Sequence, residues 1–375
     1  MKRILQITGS LVRGGTEAYI MNNYRNIDRN HYQFDFYILY PECIDAYVDE
    51  IENMGGRIFK GVPASVGKIC FAKKSLLKIL KEYGPYDAVH CHLNFGNAWL
   101  LYAAKLAGVK VRISHSHAAS GRIKGIMGVY SDLQARIIKK NANVFLACSS
   151  QAGAYLYGKR FFEKKGHIIK NGIDLDRMYS QVNTSHSHLL EEWSIPRDNV
   201  EIWGNISRFD ENKNQIFILD VFNEYLKKCP ATILVLGGPD GGQLKLVKER
   251  VHELGLEKKV RFIGVREDIS LCLQTIDCFL FPSLYEGFGI AVLEAQVMGC
   301  NCYVSETVPQ AVDLHMGNVH FLSLKDSSRS WAEYIHNAQK NKAEIFKEDI
   351  EKAFYASGFC IQSSVKELMQ VYDGN

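Results

Sequence analysis

The stretch DCFLFPSLYEGFGIAVLEAQVMG, residues 277–299, decides the fold of this chain. Cys278, Phe279, Leu280 and Phe281 form an apolar, aromatic-rich run that predicts a short buried strand. Pro282 has no N–H for a sheet ladder and ends that strand. A tight turn follows over 283–289, and then a helix from Ile290 to about Met298. Gly287 and Gly289 leave backbone N–H groups open at the helix N-terminus, where an anion is favoured. Glu286 stands in the turn and Glu294 in the helix, where Val292, Leu293 and Ala295 flank it. Free amides beside two carboxylates suit a sugar attached to a phosphate: the amides take the phosphate and the carboxylates take the hydroxyls. The plain alternative, a glycine-rich turn with two surface glutamates, fits an isolated pair of glutamates but is outweighed by the P-S-x-Y-E-G-F-G context.

Outward from this unit, strand and helix patterns alternate along the chain. Strands are expected at 4–8, 34–39, 88–90, 111–114 and 144–147, with helices at 16–24, 46–54, 71–83, 97–107 and 123–139. A break follows Asn171, and YSQVNTSHSHL, residues 179–189, reads as a loop. Alternation then resumes with strands at 201–206, 233–236 and 260–263, helices at 215–228 and 244–254, and a closing helix at 364–372. Alternation of this kind predicts an α/β fold with parallel sheets covered on both faces. A chain of 375 residues is long for one such domain, so two doubly wound domains are expected. They are placed at 1–171, completed by a C-terminal helix at about 357–375, and at 172–356. Ligands of such sheets bind at the C-terminal ends of the strands.

Two more strand-to-helix loops carry chemistry. In GNISRFDENKN, residues 204–214, Arg208 offers a planar fork for a diphosphate and Lys213 a compact charge five positions on. Fixed cations there would stabilise charge that builds on a diphosphate leaving group. In the first loop, Gly14 and Gly15 allow close approach of backbone to a ligand, with Thr16 as a candidate helix cap. Its spacing is not G-x-G-x-x-G, which counts against a dinucleotide site.

The segment PSLYEGFGIAVLEA, residues 282–295, resembles glycosyltransferase family 4, retaining enzymes with the GT-B fold of two Rossmann-like domains facing a cleft. The resemblance implies that Glu286 faces the donor sugar hydroxyls and that Glu294 binds the nucleotide ribose. Arg208 and Lys213 match the family's G-x-x-S-R…K-N motif, which binds the donor diphosphate. Gly14, Gly15, Arg266 and the turn residues Gly287, Phe288, Gly289 and Ile290 fall at donor-binding positions. Asp268 reads as a helix cap beside Arg266.

Two histidine pairs end first-domain strands: His90 with His92, and His115 with His117. Alternate strand residues share a face, so each pair aims two imidazoles one way. Zinc usually needs a third ligand and an oriented second shell. The resemblance gives a different role, a histidine that reaches the donor sugar, with His117 first and His115 second; His90 and His92 read as structural. Asp174 and Asp176 satisfy D-x-D, but the cations already present make a metal–diphosphate site unnecessary. No metal and no cofactor is expected.

Charged residues make up 23% and the net charge is +4, which does not point to nucleic acid. The ten cysteines are scattered without a CxxC pair and read as reduced thiols of a cytoplasmic protein. MKRILQITGS reads as a strand rather than a signal peptide. Lys68, Lys73, Lys74, Lys78 and Lys81 interleave with apolar residues, as do Arg122, Lys124, Arg136, Lys139 and Lys140. Basic amphipathic helices of this type lie on anionic lipid, so peripheral contact with the inner face of the membrane is expected beside ordinary core packing.

Together the resemblance implies a retaining transferase that moves a hexose-type sugar from a nucleotide-diphosphate sugar, UDP- in preference to GDP-, to an acceptor hydroxyl. The acceptor class it implies is a lipid-linked or polysaccharide one, in cell-surface polysaccharide biosynthesis. Two other classes fit parts of the sequence: a non-catalytic nucleotide-sugar-binding protein, and a metal-dependent hydrolase using the paired histidines.

Overall fold

Short β-rich runs separated by amphipathic helices fold here into two separate parallel sheets. The computed structural model describes the chain except residues 45, 64–66, 119–122, 124, 181, 183–185, 197–198, 341–344 and 375. The chain divides into two units, Met1–Gly172 with Ile361–Asn375, and Ile173–Cys360.

The first unit holds seven strands: β1 Lys2–Thr8, β2 Tyr32–Ile38, β3 Ile58–Lys60, β4 Ala88–Cys91, β5 Val111–Ser116, β6 Val144–Ala147 and β7 Gly166–Ile168. Their order is β3-β2-β1-β4-β5-β6-β7, and every pairing is parallel. Chain order reverses direction between β1 and β4, which are in register from Ile4↔Ala88 to Ile7↔Cys91. Ile4, Leu5 and Ile7 are fully buried, as expected of a central strand covered on both faces. The last helix, Ile361–Asp373, lays Ile361, Val365, Leu368 and Tyr372 into this core. Those positions form one helical stripe, and burial of each large apolar side chain contributes about 1.5–3 kcal/mol.

The second unit holds six: β8 Glu201–Ile206, β9 Thr232–Gly237, β10 Val260–Gly264, β11 Cys278–Phe281, β12 Asn301–Ser305 and β13 Val319–Leu322. Their order is β10-β9-β8-β11-β12-β13, again all parallel, with the reversal between β8 and β11. Trp203, Phe222 and Tyr225 pack at its centre with Leu234, Leu280 and Trp331.

Several expectations are corrected. The first helix is Gly15–Asn26, and its N-cap is Gly14, in extended conformation, not Thr16; the Gly14 carbonyl accepts from Ala18 N–H at 2.8 Å. Within the expected loop at 179–189, the described backbone includes the end of the helix Leu175–Ser180 and the start of His186–Glu192. Serine- and histidine-rich polarity hid those short helices, which the described contacts of Leu189 and Leu190 with the interior anchor. Strands β3, β7, β12 and β13 were unforeseen; β3 and β7 are three residues each, too short to show periodicity. Among the described residues no helix is long and apolar enough to cross a membrane. All ten cysteines are free thiols.

Candidate active site

In the second unit, the loops that leave the C-terminal ends of β8 and β11 flank the reversal of strand order. That is the place where open α/β sheets bind ligands, because the two loops diverge and leave a crevice between them. The β8 loop carries Arg208 and Lys213, and the β11 loop carries Glu286. The two loops are laced together by asparagines. The Asn212 carbonyl accepts from Leu284 N–H at 2.8 Å, and its side-chain oxygen accepts from Tyr285 N–H at 3.0 Å. Asn214 donates from Nδ2 to the Pro282 carbonyl at 3.2 Å. Asn214 itself sits in the left-handed region at φ 55°, which asparagine tolerates better than most residues.

The two cations are held differently. Lys213 donates from Nζ to Glu286 Oε1, with the lysine side chain 18% and the glutamate 12% exposed. The same ammonium lies 4.8 Å from the Phe281 ring centroid. Arg208 is exposed, and among the described residues its guanidinium has no hydrogen-bond or ion-pair partner. Its stem is fixed by close packing: a Cβ on Gly241 would stand 2.8 Å from Arg208 Cδ. The guanidinium is thus aimed by its stem while its five donors stay available, an arrangement suited to an anion supplied from outside.

The turn after β11 brings Gly289 to φ +92°, the left-handed region that glycine occupies freely. Gly289 is the N-cap of the helix Ile290–Val297, and no side chain caps that helix. Its first N–H groups therefore point toward the mouth of the turn, beside Gly287. Phe288 is buried, with its ring 5.0 Å from that of Phe359, so its side chain belongs to the interior and its backbone alone faces the turn.

Glu294 lies half-buried on the helix Ile290–Val297, and among the described residues no donor meets its carboxylate. Burial pushes its pKa up to about 7. Because the folded protein holds this proton more tightly than the unfolded chain does, stability is full below the unfolded value of 4.5 and falls as pH rises to about 7. The loss is on the order of 3 kcal/mol. Glu294→Gln is expected to abolish that slope in denaturant titrations at pH 5 and pH 8. An unchanged slope would contradict this account of the site.

Arg266 is committed elsewhere. Its Nε and Nη2 donate to Asp268 at 2.8 and 2.7 Å, and its Nη1 and Nη2 donate to the two Glu192 oxygens. Asp268 occupies the N-cap of the helix Ile269–Gln274, but its carboxylate makes no cap bond there. Asp268 thus stands at the expected N-cap position, while its carboxylate is taken by the guanidinium two residues away in a charge-assisted pair. Asp174 accepts from Arg177 N–H at 3.0 Å, capping the helix Leu175–Ser180; that structural role accounts for the first acid of the D-x-D sequence.

In the first unit the loop after β1 ends at Gly14, and Gly15 opens the first helix, exposed. Beside it, the histidines at the ends of β4 and β5 do not form two separate pairs but one cluster. His92 Nδ1 meets His117 Nε2 at 2.8 Å, and His90 Nε2 meets His115 Nδ1 at 3.1 Å. His90 and His115 are fully buried, and His117 is half-buried. Burial depresses the pKa of all four, that of His117 to about 3, so the cluster is neutral at physiological pH. Gln6 of β1 and Tyr372 of the last helix complete it, at 2.9 Å from His92 Nε2 and His90 Nδ1. Neither was foreseen. The one available signal was Gln6, a polar side chain within the apolar run ILQI.

Comparison with known proteins places these features in context. The sequence matches the family Glycosyl transferases group 1 over residues 192–355 and Glycosyltransferase Family 4 over residues 13–177. It is 34% identical over 381 residues to EpsF of Bacillus subtilis, named as a glycosyltransferase, with 99% of this chain and 96% of that protein covered. Capsular polysaccharide biosynthesis glycosyltransferase CapH of Staphylococcus aureus is 27% identical, with 99% of each chain covered. Among solved structures, Anabaena HepE in complex with UDP-glucose is similar with a TM-score of 0.80 at 18% identity, with 100% of both chains covered. Two parallel doubly wound sheets of seven and six strands are the GT-B fold.

Proposed function

Because this chain belongs to glycosyltransferase family 4, within the glycosyl transferases group 1, we propose that it moves a hexose-type sugar from a UDP-sugar to an acceptor hydroxyl, with retention and without a metal, in cell-surface polysaccharide biosynthesis. The name of CapH and the nucleotide in HepE support the pathway class and the donor. The observation that carries the reading is the pair of cations beside the uncapped helix at the β8/β11 reversal: Arg208 unpartnered and Lys213 held by Glu286.

In this reading Arg208, Lys213 and the backbone amides around Gly287, Gly289 and Ile290 bind the diphosphate. They also stabilise the charge that builds on it as the glycosidic bond breaks. Glu294 accepts the ribose hydroxyls, and Glu286 orients the sugar while fixing the Lys213 ammonium. The family resemblance supports a donor-sugar role for His117 and a donor-binding role for Gly14 and Gly15. No side chain here is assigned as a nucleophile. The acceptor attacks the face from which the phosphate departs, and a phosphate oxygen takes the acceptor proton.

The acceptor is proposed to be lipid-linked or a growing saccharide, reached from the cytoplasmic face of the membrane. The helix Gly125–Asn141 supports this: Ile126 is 88% and Val129 71% exposed, with Met127 and Leu133 beside them and Lys139 and Lys140 in its last turn. An apolar face turned to solvent and edged with lysine suits an anionic bilayer. The helix Ile69–Tyr83 buries Ala72, Leu76 and Leu80 and is chiefly core, with Phe71 outward. Arg122 and Lys124, read with the other helix, lie outside the described residues.

Retention is tested by proton NMR of the first product formed from an α-configured donor. An α-linked product is expected; a β-linked one would overturn front-face transfer.

A further inference from the structure

We propose that Tyr372, Gln6 and His92 act as positioning residues that fix the tautomer of His117, so that its Nδ1 stands as a lone-pair acceptor for a hydroxyl of the donor sugar. The second half rests on the functional reading above; the first half does not.

The eight ring nitrogens of the four histidines divide cleanly. Six have partners at hydrogen-bond distance. His115 Nε2 is buried without one. Among the described residues only His117 Nδ1 has neither a partner nor full burial. The His90–His115 ring planes are parallel within 4°, with centroids 5.2 Å apart and a 3.1 Å N···N contact. The short N···N contact places one N–H···N hydrogen bond between the two rings. Ligand atoms of His90, His92 and His115 lie within 4.8 Å of one another, and the same rings are joined by hydrogen-bond contacts to each other, His117, Gln6 and Tyr372.

A neutral imidazole has one donor and one acceptor nitrogen, so each contact in such a chain dictates the next. The Gln6 amide sets the direction. Its Nε2 donates to Tyr372 Oη at 3.0 Å, and its Oε1 faces His92 Nε2 at 2.9 Å. His92 therefore carries its proton on Nε2 and has a bare Nδ1. That bare Nδ1 accepts from His117 Nε2–H at 2.8 Å. His117 then has a bare Nδ1 at its exposed edge. Tyr372, having accepted from Gln6, donates its own proton to His90 Nδ1 at 2.9 Å. The arrangement is cooperative and sealed in the interior, where breaking one link exposes the others to the cost of an unpaired polar group. It also ties the last helix of the chain to the site: Tyr372 anchors the amide whose orientation determines what His117 offers to a ligand.

Long-range nitrogen–hydrogen NMR correlation on the full chain reads each tautomer directly, with no donor present. The wild type is expected to show His92 and His117 protonated on Nε2; His117 protonated on Nδ1, or a mixture, would overturn the relay. Tyr372→Phe removes the anchor and lets the amide turn over, so a mixture at His117 is expected; an unchanged single tautomer would contradict the role of Tyr372. Gln6→Glu keeps an acceptor toward His92 and is expected to preserve the wild-type tautomer, which separates loss of the relay from general damage to the fold. The functional half is read from Tyr372→Phe kinetics. UDP alone, which has no sugar, should bind as to the wild type, while KM for the UDP-sugar rises by up to about tenfold, the cost of one neutral hydrogen bond. An unchanged KM alongside a scrambled tautomer would overturn the sugar contact and leave the relay standing.

Discussion

Arg208→Ala is expected to abolish donor binding and turnover together. Among the described residues the guanidinium makes no bond, so its removal takes away little that holds the fold: the thermal midpoint should stay within a degree or two of the wild type, as for an exposed surface substitution. What it removes is the freest cation at the β8/β11 reversal. Loss of one preorganised donor to developing charge costs about 10²–10³ in kcat, and loss of a charge-assisted bond to the ground-state diphosphate adds further weakening of binding. A fall in kcat/KM of about 10³ or more is therefore the expected result, with UDP binding lost in calorimetry. Arg208→Lys should recover only part, because an ammonium cannot present the planar fork. Retention of UDP affinity by Arg208→Ala would place the diphosphate elsewhere.

Glu286→Ala separates chemistry from binding. Glu286 touches Lys213 and, in the proposed complex, the sugar; it does not touch the nucleotide. Turnover should fall by about 10²–10³, while UDP binds at least as well as to the wild type, since the Lys213 ammonium is released from its carboxylate partner. Removing one member of a partly buried ion pair leaves the other unsatisfied, so a modest loss of stability accompanies the change. Glu286→Gln, which keeps a hydrogen-bond acceptor near Lys213 without the charge, should restore the stability and not the rate. Wild-type turnover in Glu286→Ala would end the role given to this residue.

The sequence and the structure agree where local chemistry governs. Strand β11 spans the apolar run that Pro282 ends, and the helix Ile290–Val297 begins where Gly289 supplies its left-handed backbone. Alternation of strand and helix patterns was enough to forecast two doubly wound sheets, because buried parallel strands must be continuous apolar runs. What stayed hidden is set by packing between distant segments. Nothing in residues 204–214 announces that Lys213 is spent on Glu286, 73 positions away, while Arg208 is not. Nothing near Arg266 marks Glu192 as its second partner. The histidines looked like two pairs because strand periodicity reports only which residues of one strand share a face; their fusion into one network depends on β4 and β5 lying side by side and on Tyr372 arriving from the other end of the chain. His90 and His92 both lie buried in that network.

The central claim is that a nucleotide-sugar donor is cleaved at a site built on Arg208, Lys213, Glu286 and Glu294. It is tested most directly by measuring nucleotide release from a panel of UDP- and GDP-sugars, in chelator, with and without a membrane lipid extract. Release from one UDP-sugar, stimulated by the extract and undiminished by chelator, is the predicted result. Tight binding of a donor with no release under any acceptor, or release that chelator abolishes, would contradict it.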